Sequence, residues 1–366
     1  MRILFVLSEL GTGGAAVVHK LLADRLTAAG DSVDIFSYNC DGWENIFGSY
    51  PRERIIFQSD MTLTELLCRR NYDIVHAASD TPDRGLGRSL ALSRSRAAIV
   101  LTCHGHELPK SGLDCADVLI AVSNSMAETL RDKVSVPLRV IHNGIDEQIF
   151  HPESIDKPDR PIILWIGRPY DVRKDFAGLF ALAGELKSEV VDIWAVLACP
   201  DDYPITLNDW LPDRIKVIQN ISQRELCEVY REAAVSGGCS VSTSLSEGLP
   251  MSIMESLACG CPVVAPSVGG VTEILNGSNG CLYNRSIGAS ALREIILDLI
   301  KNEFSRYAMV NEGLKTIANG LTAAHMAQNY RQLYIELIKT HRNRKLTPFD
   351  RPTRIILRAI CRAKRR

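Results

Sequence analysis

Short apolar runs alternate with amphipathic segments along the first part of this 366-residue chain. The apolar runs are of strand length, and the segments between them repeat their apolar residues at helical spacing. Strands connected by helices in this way form βαβ units, so the pattern predicts a parallel sheet. The predicted strands are 2–7, 33–37, 73–77, 97–103, 117–122 and 138–142, and the predicted helices are 14–29, 62–71, 84–95 and 125–133.

A linker-like stretch follows, and the alternation then restarts. Residues 151–161 contain three prolines and five charged residues, which is typical of a connection between domains. The capping boxes Ser125–Glu128 and Ser222–Glu225 are predicted to begin helices. In the second half the predicted strands are 162–166, 191–198, 215–219, 239–243, 262–265 and 280–283, and the predicted helices are 174–188, 223–234, 251–259, 270–276, 288–301, 303–318 and 321–341.

The chain is too long for one ordinary hydrophobic core, so we expect two doubly wound α/β domains. The first is predicted at 1–150, and a linker at 151–160 leads to a second domain at 161–320. The helix 321–341 is expected to pack back toward the first domain. The last segment, 342–366, is predicted to be a basic amphipathic tail.

Composition and charge exclude several classes of protein. The net charge of −1 argues against a globally basic nucleic-acid-binding protein. No run of 18 apolar residues occurs, so we expect no transmembrane helix, and the first apolar run is too short for a secretory signal. Eleven cysteines without a C-x-x-C pair indicate reduced thiols, and we therefore expect a cytoplasmic protein.

The segment 242–264 contains the most informative local pattern. Glu247 and Glu255 stand eight residues apart, and Pro250 between them suits the first position of a helix. The helix is expected to end at Gly260 in the left-handed conformation. Its first turn would present free N–H groups to an anion, with carboxylates on either side to accept hydroxyl groups. The alternative is an ordinary capped helix with two solvated glutamates.

Two cations follow the first strand of the second half. Arg168 comes directly after this strand, and Lys174 lies six residues later. Ligands of open α/β sheets bind at the carboxyl ends of the strands, so these cations are candidates for binding a diphosphate. Because Arg173 and Asp175 adjoin them, a solvated charge cluster is the alternative.

The first predicted strand leads into a glycine-rich loop. Gly11 to Ala16 matches G-x-G-x-x-A, so a dinucleotide site must be considered. That site needs an acidic residue at the end of the second strand, whereas Asp34 stands near its start. Gly13 and Gly14 could instead approach any phosphate group, or could allow the helix to pack closely.

A histidine pair follows the strand 97–103. The spacing of His104, His106 and Glu107 is poor for a metal, and the chain contains no D-x-D motif. We therefore expect no metal. We also expect no cofactor. His104 is predicted to hydrogen-bond a hydroxyl group of a substrate.

Taken together, these motifs resemble the retaining glycosyltransferases of family 4 (glycosyl transferases group 1). The resemblance covers about residues 1–340 and depends most on the segment from Glu247 to Glu255 and on Gly260-Cys-Pro-Val-Val. Asn143-Gly-Ile-Asp, Arg168 with Lys174, and the glycine loop occur in the family's order. The resemblance implies the GT-B architecture, in which two Rossmann-like domains face an interdomain cleft.

The resemblance also implies roles for individual residues. The second domain would bind a nucleotide-sugar, which is a co-substrate, with Arg168 and Lys174 on the diphosphate, Glu255 on the ribose and Glu247 on the sugar. His104 would lie near the transferred sugar. Transfer would need no metal and would retain the anomeric configuration. The remaining implied donor-binding residues are Gly13, Gly14, Gly248, Leu249, Pro250, Met251 and Ser252.

The partners are less well defined. The resemblance favours a UDP-sugar donor and a hydroxyl acceptor on a polysaccharide or lipid-linked glycan intermediate. Residues 339–366 contain eleven Lys or Arg and one acidic residue, so 343–366 could contact an anionic membrane surface as a peripheral anchor. A disordered tail or a packed helix is the alternative. Three other functions stay open: an NAD-dependent oxidoreductase, a non-catalytic sugar-nucleotide-binding protein and a nucleotide-sugar epimerase.

Overall fold

The structure, a computed structural model, describes residues 1–11, 13–78, 86–93, 95–105, 112–199, 215–219 and 221–343. The chain forms two compact units. One comprises Met1–His142 together with the chain from Ala323 onward, and the other comprises Asn143–Thr322. The sequence placed the first boundary at residue 150, whereas contacts divide the chain after His142 and again after Thr322.

The first unit is built on a parallel sheet, as predicted. Its interior strands β1, β4 and β5 are almost fully buried, as expected for a sheet covered on both faces. The strand order is β3-β2-β1-β4-β5-β6-β7. The strands are β1 (Arg2–Leu7), β2 (Ser32–Ser37), β3 (Ile55–Phe57), β4 (Ile74–Ala78), β5 (Ala98–Cys103), β6 (Val118–Ala121) and β7 (Leu138–Val140).

Six helices and one 3-10 turn of the described residues accompany this sheet. The predicted capping box at Ser125 is wrong, because Ser123 caps the helix by accepting from Met126 N. A box that the sequence analysis missed joins Thr62 and Glu65. The elements are α1 (Gly14–Ala28), α2 (Glu44–Phe47), the 3-10 turn Arg52–Arg54, α3 (Leu63–Arg69), α4 (Leu86–Ser93), α5 (Asn124–Arg131) and α12 (Ala323–Asn343).

The second unit has its own parallel sheet, in the order β10-β9-β8-β11-β12-β13. Its core is formed by the faces of β8, β9 and β11 together with α6 and α10. The strands are β8 (Ile162–Gly167), β9 (Asp192–Leu197), β10 (Ile215–Gln219), β11 (Cys239–Val241), β12 (Val263–Pro266) and β13 (Cys281–Tyr283).

The helices of the second unit follow the predicted order. The capping box at Ser222 and Glu225 is confirmed. The helix predicted from residue 174 begins only at Phe176, because Asp175 adopts the left-handed conformation, with φ of 49°. The elements are the 3-10 turns Val172–Lys174 and Arg285–Ile287, and α6 (Phe176–Glu185), α7 (Gln223–Val235), α8 (Met251–Ala258), α9 (Val271–Ile274), α10 (Gly288–Lys301) and α11 (Glu303–Ala318).

The last helix, α12, belongs to the first unit, where it packs against α1 and β5. His76 Nδ1 lies 2.6 Å from the hydroxyl oxygen of Tyr334, and His76 Nε2 lies 2.6 Å from Thr102 Oγ1. Arg331 donates to the buried carboxylate of Asp31. Burial lowers the pKa of His76 well below its ordinary value. The ring is therefore neutral at pH 7, and its contacts with Tyr334 and Thr102 are hydrogen bonds between uncharged groups.

Each sheet reverses its winding direction at one pair of strands. In the first sheet this switch point lies between β1 and β4, and in the second it lies between β8 and β11. The carboxyl ends of strands at a switch point leave a crevice where ligands bind in open α/β folds. The loops after these strands are therefore the places to look for a site.

Two further predictions concern membrane-spanning helices and the state of the cysteines. Over the residues that the structure describes, no helix has both the length and the apolar character to cross a membrane. Ten of the eleven cysteines lie in this part of the chain, and all ten are free thiols.

Candidate functional site

An ion pair joins the two loops at the switch point of the second sheet. Lys174 follows β8 and Glu247 follows β11, and Lys174 Nζ donates to Glu247 Oε1 over 2.6 Å. The same carboxylate oxygen accepts from Ser244 Oγ, also at 2.6 Å. The side chains are 20% and 10% exposed, so a ligand can still reach them. The structure thus brings together two of the predicted site residues.

Hydrogen bonds from the loop after β11 to main-chain oxygens of the Lys174 turn hold the two segments together. Thr243 Oγ1 accepts from Trp165 Nε1 at 3.0 Å and can donate its one hydrogen to the main-chain oxygen of either Lys174 or Asp175, each 2.9 Å away. Leu245 N donates to Arg173 O at 2.7 Å. Sequence reasoning missed Thr243 and Ser244, because nothing local indicates which distant segment a hydroxyl group will bind.

Arg168 belongs to a separate group of charges. Its guanidinium donates to Asp171 at 3.0 Å, and Arg173 donates to the same carboxylate at 2.8 Å. The hydrogen bond from Arg173 is the main reason why the pKa of Asp171 is lowered, and the charge of Arg168 adds to it. The charge cluster kept as an alternative is therefore real for Arg168 and Arg173, whereas Lys174 is directed to Glu247.

Glu255 has a very different environment from Glu247. It lies in the second turn of α8, is only 6% exposed, and has its Oε2 atom 3.1 Å from the hydroxyl oxygen of Tyr230. Burial raises the pKa of Glu255 to about 7, and the Tyr230 hydrogen bond and the charge of Lys174 oppose this increase. A solvated glutamate, which the sequence left open, is excluded at this position. No local pattern indicated Tyr230, which reaches α8 from α7.

The start of α8 agrees with the predicted helix apart from one position. Pro250 lies at the N-cap, with ψ of 114°, and Met251 is the first helical residue, so the placement of Pro250 inside the helix is wrong by one residue. The first N–H groups of a helix have no partner within it, which leaves them available to an anion. At the other end, Gly260 has the predicted left-handed conformation, with φ of 72°.

The loop after β12 supports Glu247 from behind. Gly270 N donates to Glu247 O at 3.2 Å. Gly269 has φ of 49°, and a Cβ atom built on it would lie 2.1 Å from Glu247 O. Only glycine permits both the conformation and this approach. Gly269 is thus a further site residue that the sequence analysis did not single out.

The first unit presents His104 at the carboxyl end of β5. Its ring is half-buried and meets the ring of His19 edge-on at 5.1 Å. The Nε2 atom is enclosed by protein, and among the described residues it has no hydrogen-bond partner. Burial, with the neighbouring His19, lowers the pKa of His104 well below its ordinary value, so the ring is neutral at pH 7. His106 and Glu107 lie outside the described residues.

The glycine loop of the first unit has structural roles. Gly13 has φ of 89° and lies at the N-cap of α1, and Gly14 is the first residue of this helix. A Cβ atom on Gly11 would lie 2.5 Å from Asp41 O, so close packing explains this glycine.

Asp34, the acidic residue considered for a dinucleotide site, is already occupied. It is buried, and its carboxylate accepts from Arg54 at 3.0 Å, Arg70 at 2.9 Å and Tyr72 at 2.8 Å. A carboxylate with three donors has little capacity left for a ribose. This arrangement argues against the oxidoreductase alternative.

Two doubly wound units, each with candidate site residues after its central strands, are the architecture of GT-B glycosyltransferases. The model of glycosyltransferase family 4 matches residues 12–149, and that of glycosyl transferases group 1 matches residues 160–302. Together the two models cover most of the sequence. The chain therefore belongs to the glycosyltransferases that these two models, family 4 and group 1, describe.

Individual relatives agree with this assignment. An uncharacterized glycosyltransferase of Methanocaldococcus jannaschii is 26% identical over 72% of this chain and 76% of its own length. The N-acetyl-alpha-D-glucosaminyl L-malate synthase of Bacillus anthracis is 21% identical over 81% of this chain and 83% of its own. Anabaena HepE, solved in complex with UDP-glucose, matches 92% of this chain and 100% of its own with a TM-score of 0.73 and 16% identity.

Proposed function

We propose that the protein transfers a sugar from a nucleotide-diphosphate sugar, most simply a UDP-sugar, to a hydroxyl group of a glycan or lipid-linked acceptor. The observation that carries this proposal is the Lys174–Glu247 ion pair at the switch point, next to the buried carboxylate of Glu255. The complex of the similar Anabaena protein with UDP-glucose supports the choice of donor.

In this proposal the second unit holds the donor. The diphosphate binds Lys174, Arg168 and the first N–H groups of α8, which is a helix start suited to anions. The ribose hydroxyl groups donate to Glu255, and Glu247 contacts the sugar. As the bond between sugar and phosphate breaks, negative charge grows on the leaving oxygen, and the cations stabilise it. Lys174 is held by Glu247 before the donor arrives, so little reorganisation is needed.

The first unit supplies His104 and the glycine loop. His104 is neutral and only half-buried, so its ring can exchange a hydrogen bond with a sugar hydroxyl group without bringing a charge. Gly13 and Gly14 contact the diphosphate of the donor. The acceptor hydroxyl attacks from the face that the diphosphate leaves, and the leaving phosphate takes its proton. This route retains the anomeric configuration and needs no metal.

A donor screen tests the proposal. The full chain is incubated with UDP-, GDP- and ADP-sugars, without metal and with EDTA, and nucleotide release is measured. Nucleotide release from one class of donor is expected. An α-linked donor should give the α-anomer of the product. Stabilisation by NAD alone in a thermal-shift assay, with no release from any donor, would contradict the proposal. Conversion of the sugar without an acceptor would identify an epimerase.

Gly269→Ala should lower the transfer rate roughly 10²-fold, because small displacements of reacting groups have effects of this size. The new Cβ atom would collide with the carbonyl oxygen of Glu247. Gly277→Ala is the matched control, since Gly277 also has positive φ, of 86°, but nothing lies within 4 Å of its Cβ position. Steady-state kinetics on both variants should show loss only for Gly269→Ala. Equal losses would mean that backbone strain alone is responsible.

A second prediction concerns the basic segment, which lies outside the described residues. Residues 344–366 contain nine Lys or Arg. Each such residue near an anionic surface contributes about 1 kcal/mol, so deleting the segment should weaken vesicle binding at least roughly 10²-fold. Sedimentation with vesicles of anionic and of neutral phospholipid measures this effect. Unchanged binding to the anionic vesicles would remove the argument for a membrane-presented acceptor.

A further inference from the structure

A buried tyrosine connects two helices at the Glu255 carboxylate. Tyr230 of α7 is fully buried, and its hydroxyl oxygen lies 3.1 Å from Glu255 Oε2 and 3.0 Å from the main-chain oxygen of Ser252. Ser252 and Glu255 are one turn apart on α8. The hydroxyl group thus contacts both the carboxylate and the helix that carries it.

A phenol has one hydrogen, so Tyr230 can satisfy only one of these acceptors at full strength. When Glu255 is ionised, its carboxylate is the stronger acceptor and receives the hydrogen. When Glu255 is protonated, its carboxyl group can donate to the phenol oxygen, and the phenol hydrogen turns to Ser252 O. Tyr230 therefore provides a partner for Glu255 in both protonation states, and its bond to the ionised form is the stronger because the acceptor is charged. Phenylalanine would provide a partner in neither.

We propose that Tyr230 is a positioning residue for donor binding, which holds Glu255 ionised and oriented to accept the ribose hydroxyl groups. The inference rests on the proposed function, in which Glu255 binds the ribose. An ionised carboxylate accepts hydrogen bonds at both oxygens, whereas a protonated one carries a donor at one of them. Two ribose hydroxyl groups therefore bind better to the ionised form. Tyr230 acts only through Glu255.

Charges around the carboxylate determine how a test must be designed. Burial is the largest influence on the pKa of Glu255, and the Tyr230 hydrogen bond opposes it, so loss of the hydroxyl group should raise this pKa further. The hydrogen bond with Cys259 lowers the pKa of Cys227, which brings a second titration toward the same range. The other titratable groups facing Glu255 and Tyr230 are Lys174, Cys227, Cys259 and Cys261.

The first experiment measures nucleotide binding in the full chain. Tyr230→Phe and Glu255→Gln are each made in a Cys227→Ser background, and the Kd values of UDP, GDP and ADP are determined between pH 5 and 9. Tyr230→Phe should raise the Kd of the preferred nucleotide roughly tenfold near pH 7, as for a lost hydrogen bond to a charged group. The pH midpoint of binding should move upward. KM for the sugar donor should rise, with little change in kcat.

The second experiment needs no ligand. The free energy of unfolding is measured against pH for the same proteins, because titration of Glu255 makes stability depend on pH. Tyr230→Phe should move this dependence to higher pH, which a merely space-filling role would not do. If Glu255→Gln weakens nucleotide binding but Tyr230→Phe changes neither binding nor the pH range, the role of Tyr230 is overturned alone. Unchanged binding in both variants would overturn the ribose assignment of Glu255 and this inference with it.

Discussion

Replacing Lys174 by alanine is expected to lower kcat/KM for sugar transfer roughly 10²-fold, while the protein stays folded. Loss of one group that stabilises transition-state charge typically raises the barrier by about 3 kcal/mol. By contrast, water still reaches this ion pair, so its loss should cost the fold less than breaking a fully buried pair would. Glu247 also keeps its hydrogen bond from Ser244 in the variant. The effect on catalysis should therefore greatly exceed the effect on stability.

Kinetics and thermal unfolding of three site variants and one control check this expectation. Lys301→Ala is the matched control, because Lys301 is an exposed lysine of the same unit at the end of α10. Glu247→Ala should also lower transfer. Because the two side chains touch, the double variant should lose less than the sum of the single effects in free energy. Full activity of both single variants would show that the site is assigned wrongly.

Glu255→Gln is expected to weaken nucleotide binding and, at the same time, to stabilise the protein at pH 8. A hydrogen bond to a charged acceptor contributes about 1.5–3 kcal/mol, so its loss should raise the Kd by about one to two orders of magnitude. Stability responds in the opposite direction because folding raises the pKa of Glu255 from 4.5 to about 7.

The direction of the stability effect follows from proton binding. Between pH 4.5 and about 7, the folded protein keeps the Glu255 proton and the unfolded chain releases it, so rising pH favours unfolding. Integrated over this window, the raised pKa of Glu255 costs the wild type about 3 kcal/mol. Glutamine has no such titration, so the two proteins should differ little below pH 4.5 and most above pH 7.

Denaturant unfolding at several pH values measures this difference. Glu225→Gln is a useful control for the loss of one carboxylate, because the Ser222 hydrogen bonds lower the pKa of Glu225. Its stability effect should therefore have the opposite sign. A Glu255→Gln protein that is less stable than the wild type at pH 8 would show that the carboxylate is not held in a raised-pKa environment.

Local patterns in the sequence were sufficient for most of the fold. Strands with continuous apolar runs, such as β1 and β5, were predicted within about one residue of their observed ends. β3 was missed because it has only three residues and follows the charged turn Arg52–Arg54. The cap of α5 was placed two residues late, because Ser123 and Ser125 are equally good caps by sequence alone.

The site divides along the same line. That Glu247, Glu255, Arg168 and Lys174 follow strands or begin helices could be predicted, because those features depend on neighbouring residues. The pairing of these side chains with one another could not be predicted from the sequence. Lys174 and Glu247 are 73 residues apart and meet only because β8 lies beside β11.

The amino-acid sequence alone determined two α/β halves, the left-handed end of α8 at Gly260, and the loops that carry the candidate site residues. These depend on periodicity and capping, which act over a few residues. The tertiary structure decided that Lys174 is paired with Glu247 and that Glu255 is buried against Tyr230. It also decided that Asp34 is occupied by structural donors. Pairing and burial depend on strand order and on contacts between distant segments, and no local pattern contains that information.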